Sequence, residues 1–307
     1  MLLKLSKADS KNKLYSLKVK DNKVTLTFKQ SSPEMIILVN DLKGNDLEFK
    51  YIFEENVQLK VIELYEDVKQ RSNNIYVEVK DYAKIDHKVI VFEKEEKAKN
   101  RVDAIVLDNG KYDFSYIDLS TSSFDYNAVI KLEGYAAEGN YHGATVAAKK
   151  DVKNIEASVE NNAKSSVAMI SNYGVAVNEA KLSFQGVGRI KHGAKGSKAY
   201  QKSNVIVFDK ASYAKSNPFL DIKESDVEAG HAAAVGTIDE EIIFYLSSRG
   251  LSRADAKKTI VLGYIKPVLT QIEDDKIKEK IISVLEKKVF TNAWFKKDSK
   301  RFRDVRW

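Results

Sequence analysis

Four histidines and no cysteine set the chemical repertoire of this 307-residue chain. Without a thiol it forms no disulfide, offers no thiolate nucleophile and supplies no sulfur ligand to zinc or to an iron–sulfur cluster. The histidines therefore carry most of its metal-binding potential, and each has its own setting. His87, in Lys84-Ile-Asp-His-Lys88, alternates with apolar residues at strand spacing and reads as a surface strand residue. His142, in Asn140-Tyr-His-Gly143, and His192, in Lys191-His-Gly193, lie in turn-like sequence and read as surface residues too. No two of them have the spacing of a metal-ligand pair. His231 differs, because Gly230, Ala232, Ala233, Ala234 and Gly236 surround it with small groups. Burial in such company would hold the imidazole neutral and leave a ring nitrogen for a metal. A hydrogen-bonded core histidine at a strand-to-helix junction fits the same surroundings, and both readings stand. Other chemistries lack their residues: there is no Gly-x-Ser-x-Gly elbow, no phosphate loop and no His-Glu-x-x-His. The pairs Glu54-Glu55 and Asp274-Asp275 read as surface and helix-start charge.

The element that follows His231 has both ends written in the sequence. Thr237-Ile-Asp-Glu240 reads as a capping box, with Asp239, Glu240 and Glu241 complementing the positive start of a helix beginning near Ile238. Ile238, Ile242, Tyr245 and Leu246 share a face, so Phe244, Tyr245 and Leu246 are expected to pack this helix, with Arg249 and then Gly250 closing it. Ser252-Arg-Ala-Asp255 repeats the cap logic for a second helix carrying Ala256, Ile260, Tyr264, Val268 and Ile272, which Pro267 is expected to kink. A third helix, from about 274 to 288, presents Ile277, Ile281, Val284 and Leu285.

Upstream lies a long β-rich region with no convincing helix. Runs such as Val24-Thr-Leu-Thr-Phe28, Leu47-Glu-Phe-Lys-Tyr-Ile-Phe53, Leu59-Lys-Val-Ile-Glu-Leu-Tyr65 and Ala128-Val-Ile-Lys-Leu132 alternate with period two. Turn signals such as Asp108-Asn-Gly110 and Glu138-Gly-Asn140 separate them. A sandwich, a barrel and a β-helix all suit this pattern. Even spacing and small residues in the later strands, as in Gly174-Val-Ala176 and Gly186-Val-Gly188, lean towards stacked coils, although no strict repeat is visible.

The net charge of +7 is spread among interleaved acids, which describes a solvated lysine-rich surface better than a nucleic-acid site. No apolar run is long enough to span a membrane, and Met1-Leu-Leu-Lys-Leu-Ser is too short and too soon charged for a signal peptide, so a cytoplasmic location is expected.

His231, Gly236, Asp239, Phe244-Tyr-Leu246 and Arg249-Gly-Leu251, taken in this order, resemble the SufB/SufD family of iron–sulfur cluster assembly proteins, and SufD most. The likeness extends upstream through Phe184-Gln-Gly186, Asn217-Pro-Phe-Leu-Asp-Ile222 and Asp226-Val227, and more weakly to Tyr51-Ile-Phe-Glu-Glu55 and Val61-Ile-Glu-Leu-Tyr65. It implies a mainly β fold, a right-handed parallel β-helix with a small C-terminal α-helical domain. The expected division is an N-terminal segment at 1–21, the β-helix at 22–235, the helical domain at 236–290 and a basic aromatic tail at 291–307. It further implies a non-catalytic scaffold subunit of a SufBCD complex, with a SufB-like subunit along the late β-helix and a SufC-like ABC ATPase on the helices around Phe244, Tyr245 and Arg249. His231 would then stand at a transient cluster or iron site at the SufB interface. No cofactor is expected to stay bound to this chain alone, and ATP enters only through SufC. Where SufD relatives often read Cys-x-His, this chain reads Ala229-Gly-His231, so only the histidine is kept. Two other readings remain: a stand-alone SufB/SufD-like homodimer, and a carbohydrate-active β-helix enzyme with acids converging on one face.

Overall fold

The computed structural model describes residues 2–5, 10–40, 47–65, 73–92 and 98–290. In chain order the strands are β1 (Leu2–Leu5), β2 (Ser10–Lys11), β3 (Tyr15–Lys20), β4 (Lys23–Phe28), β5 (Ile36–Asn40), β6 (Leu47–Phe53), β7 (Gln58–Tyr65), β8 (Asn73–Val79), β9 (Lys84–Val91) and β10 (Ala98–Val106). They continue as β11 (Lys111–Asp118), β12 (Phe124–Leu132), β13 (Glu138–Ala148), β14 (Val152–Asn161), β15 (Val167–Val177), β16 (Lys181–Ile190), β17 (Lys198–Val207), β18 (Tyr213–Ile222) and β19 (Glu228–Thr237). Three helices follow: α1 (Glu240–Ser248), α2 (Arg253–Leu269) and α3 (Asp275–Phe290).

Pairing decides between the architectures that the alternating pattern left open. From β4 onward each strand pairs in parallel with the strand two places later, Ala128 with Ala157 and Tyr141 with Ile170 for example. The even-numbered strands form one sheet and the odd-numbered ones from β5 form the other, so the chain winds through about seven turns of a β-solenoid. Only the start departs, where β2, β3 and β4 run antiparallel. No described helix is long and apolar enough to cross a membrane.

Alternation sends one row of side chains from each sheet into the lumen, where they stack along the axis. Phe28 and Phe53, one turn apart, stack with centroids 5.1 Å apart and are fully buried. Each such ring contributes about 1.5–3 kcal/mol through apolar burial. Corners take left-handed residues: Asn109 in Asp108-Asn-Gly110 has φ 53°, as the sequence signal predicts. The second signal is misplaced, because Glu138-Gly-Asn140 lies inside β13 and the turn falls earlier, with Ala136 at φ 52°. Gly139 serves packing instead, since a Cβ there would stand 2.7 Å from Leu132 Cδ2.

α2 and α3 cover the outer face of the odd-strand sheet. Val261, Ile265 and Val268 from α2, with Ile281 and Leu285 from α3, join Ile62, Ile90, Ile117, Val146 and Val175 in a second core. The buried face of α2 is therefore turned from the expected one: Ala256, Val268 and Ile272 are buried, but Val261 and Ile265 replace Ile260 and Tyr264, which are half-buried. The helix runs on through Pro267 for two more residues. Lys288 fastens α3 to the coils, donating to the Ser120 and Val146 carbonyls beside the buried Lys153–Asp118 pair. Burial, and the charge of Lys153 nearby, push the Lys288 amine well below its ordinary pKa. The tail at 291–307, with Trp294, Phe295, Phe302 and Trp307, lies outside the described residues.

Candidate functional site

The two sheets end in β18 and β19, which have no further strand beside them among the described residues. Together these strands form the last coil of the solenoid, and its end is open. In β19 the residues that continue the lumen rows are Ala229, His231, Ala233 and Val235, because they pair with the buried Ala199, Gln201, Ser203 and Val205 of β17. His231 thus belongs to the column His87, Phe114, Tyr141, Ile170, Gln201, one residue per coil. It occupies an inward position with no described strand stacked over it. The expected burial of His231 is overturned: it is exposed, as is almost every residue of β19. The small residues around it leave it uncovered.

Directly beneath His231 in register, Gln201 is 6% exposed and reaches across the lumen, donating from Nε2 to the Phe219 carbonyl at 2.8 Å. Its Oε1 has no hydrogen-bond partner. Gly186 and Gly188 make the space, since a Cβ on Gly186 would lie 2.6 Å from Oε1 and one on Gly188 2.9 Å from Nε2. Sequence reading passed over Gln201. The available signal was the Gly-Val-Gly spacing of a strand whose lumen row has lost its side chains. The coil therefore presents an imidazole with an unpaired amide oxygen beneath it, framed by exposed Val235, Phe219 and Tyr213.

The helix after β19 also differs from expectation. Thr237 ends the strand, and Asp239 is the N-cap, its Oδ1 accepting from the Glu241 N–H at 2.8 Å. The predicted box fails because β19 stays paired to β17 as far as Thr237. Only Ile243 of α1 is buried, while Phe244 is 76% and Tyr245 56% exposed, so these rings do not pack the helix as expected. Arg249 lies over the Tyr245 ring at 5.3 Å. Its C-terminal end follows the sequence, with Gly250 at φ 94° and the Gly250 and Leu251 N–H groups donating to Ser247 and Leu246. The second cap is also as read: Ser252 accepts from the Asp255 N–H and donates to its carboxylate. Arg253 joins α1 to α2 through both oxygens of Glu240.

The other histidines divide. His192 is exposed in a turn, as read. His142 is half-buried on β13 rather than in a turn, and burial lowers its pKa. His87, read as a surface residue, is fully buried in the lumen, because it shares the phase of Ile85, Val89 and Val91. Among the described residues no three His, Cys, Asp or Glu side chains converge to hold a metal.

Residues 48–264 match the family profile described as SUF system FeS cluster assembly, SufBD core domain. The chain belongs to the SufBD family. The match takes in the solenoid from β6, the open coil and most of α2. Among SufBD relatives, an iron–sulfur cluster assembly protein SufD of Bacillus subtilis is 33% identical over 158 residues, 52% of this chain and 36% of that protein. An iron–sulfur cluster assembly SufBD family protein of Mycobacterium bovis is 28% identical over 141 residues, 46% of this chain and 17% of its own length. One from Staphylococcus epidermidis is 26% identical over 141 residues, 46% of this chain and 30% of its own. The matched stretch thus spans little more than a third of these SufBD proteins at most. By these likenesses the chain is SufD-like.

Proposed function

We propose that this chain is a SufD-like, non-catalytic scaffold subunit in cytoplasmic iron–sulfur cluster assembly, joined through its open coil to a SufB-like subunit. The observation that carries the reading is the last coil, where two strand edges, unpaired among the described residues, flank His231 and an exposed apolar rim. An open sheet edge with apolar rows is a template for another chain, and a partner's coil laid against it would satisfy the free backbone groups and cover the rim. His231 offers such a joint one imidazole and no thiolate, so a cluster held there takes its sulfur ligands from the partner. The chain alone then holds no cluster, and ATP is the business of a SufC-like ATPase.

Hydrogen exchange tests the joint directly. Adding the SufB-like subunit should slow exchange of amides in β18 and β19 and leave those of β3 and β4 unchanged. Uniform slowing, or none at the last coil, would contradict the reading.

The exposed rings of α1 support docking of the ATPase there. Phe244→Ala is expected to weaken SufC binding by about 2 kcal/mol or more, in the manner of an exposed aromatic anchor. Because the ring is not in the core, melting should move little, within the roughly 0.5 kcal/mol typical of surface substitutions. Titration calorimetry beside thermal melting checks both halves; unchanged affinity would remove α1 from the interface.

A further inference from the structure

The partner interface makes no use of the aromatic, basic tail at 291–307, and the fold holds a place that fits it. The later odd-numbered strands lie in register and run out at one corner of the solenoid. At the last coils of that corner is a cavity of about 700 Å³, lined by Glu179 after β15, by Phe208, Asp209 and Ala211 after β17, and by Ile238 and Glu240 at the β19–α1 junction, among others. It opens because the chain leaves the last coil for α1 instead of turning into another strand. Phe208, 5% exposed, and half-buried Ile238 give it an apolar part, while Glu179 and Glu240 are exposed. Its size is that of a pocket for a small ligand or for one or two aromatic side chains.

We propose that the segment 291–307 of the same chain docks in this cavity, with aromatic rings against Phe208 and Ile238 and basic groups against the acids. α3 delivers the segment to the right corner: Lys288, in its last turn, donates to the carbonyls of Ser120, after β11, and Val146, near the end of β13. The cavity begins one coil further on, after β15. Coils are about 4.8 Å apart, so its middle, at β17, lies about 10 Å along the axis. An extended chain covers about 3.3 Å per residue, so Trp294 and Phe295 span that distance from the end of α3. Beyond them come Lys296, Lys297, Lys300, Arg301, Arg303 and Arg306, against only Asp298 and Asp304. The lining has the opposite balance, Glu179, Asp209 and Glu240 against Lys210, with Asp239 and Glu241 beside it on the chain. Arg253 already holds Glu240, and Asp209 accepts from the N–H groups of Asn178, Ala211 and Ser212. Exposed Glu179 and Glu241 are therefore the carboxylates freest to turn to an incoming cation. Surface ion pairs are weak singly and screened by salt, so the rings anchor the segment and the charges select it. Docking covers the cavity and braces the β19–α1 junction. It does not depend on the open coil binding a partner.

Trp294 and Trp307 are the chain's two tryptophans, so tryptophan emission reports this segment alone. In the purified full chain the emission should be blue-shifted and shielded from acrylamide. Ala211→Arg puts bulk and a cation at an exposed lining position, and Glu179→Lys reverses an exposed charge. Each should red-shift the emission and raise quenching at least about twofold, as the indoles return to water, while circular dichroism shows the chain folded. Glu179→Lys decides if Ala211→Arg does not fold. Glu55→Lys, the same reversal at an exposed turn after β6, should change neither reading. Native emission typical of tryptophan in water overturns the proposal, as does native-like emission from either folded cavity variant. Emission that varies with chain concentration would place the segment in another copy and overturn it too.

Discussion

Replacing His231 by asparagine should leave the complex with the SufB-like and SufC-like partners assembled, yet cut the cluster content of the co-expressed assembly by about 10–100-fold, the usual scale for damage to a metal's ligand environment. Asparagine keeps a polar side chain of similar reach but offers no imidazole nitrogen. The structure sharpens this expectation. His231 is exposed at the end of the lumen column, so its replacement opens no cavity and melting should change by only about 0.5 kcal/mol. A packing role predicts the opposite pairing, with lost stability and lost complex accompanying lost activity. Melting temperature, complex yield and cluster content measured together separate them, and normal cluster content in an intact complex would end the ligand role of His231.

Charging the rim should have the larger effect on assembly. Phe219, on the outer row of β18, is 55% exposed, and Val235, on the lumen row of β19, is 45% exposed, so both lie at the open coil and neither supports the core. Phe219→Glu with Val235→Glu would bury carboxylates without partners when another coil is laid over them. A penalty of about 3 kcal/mol, about a hundredfold in Kd, is the expected cost to the SufB contact. The monomer should fold normally. Binding by the double variant within a few-fold of native would move the interface elsewhere on the solenoid.

How much of this was legible in the sequence depends on which force decided each feature. Period-two alternation announced the strands, and the Ser252–Asp255 cap and Gly250 announced helix ends, because local hydrogen bonding and backbone freedom settle those within a few residues. Parallel pairing between successive coils, across some 25 to 32 residues, was not legible, since a sandwich can use the same alternating strands. Phase is the intermediate case. Leu59, Val61, Glu63 and Tyr65 share parity, as do Ile85, His87, Val89 and Val91, so strict bookkeeping would have turned Glu63 and His87 inward. For His87 polar character suggested the surface, and the lumen's pairing of polar groups with one another overrode it. His231 failed in the other direction. Its small neighbours suggested burial, but a row facing inward is buried only when another coil follows, and among the described residues none does. The same reasoning covers Phe244 and Tyr245, whose helical spacing implied a packed face although α1 buries only Ile243.

The central claim is that the open coil is half of a joint with a SufB-like subunit. Native mass spectrometry of the tagged chain, co-expressed with untagged SufB-like and SufC-like proteins, tests it most directly. The account predicts one dominant complex containing this chain, the SufB-like subunit and the SufC-like ATPase, which loses the SufB-like subunit in the Phe219→Glu, Val235→Glu variant. A native chain recovered alone or only as a homodimer, with no SufB-like subunit bound, would contradict it.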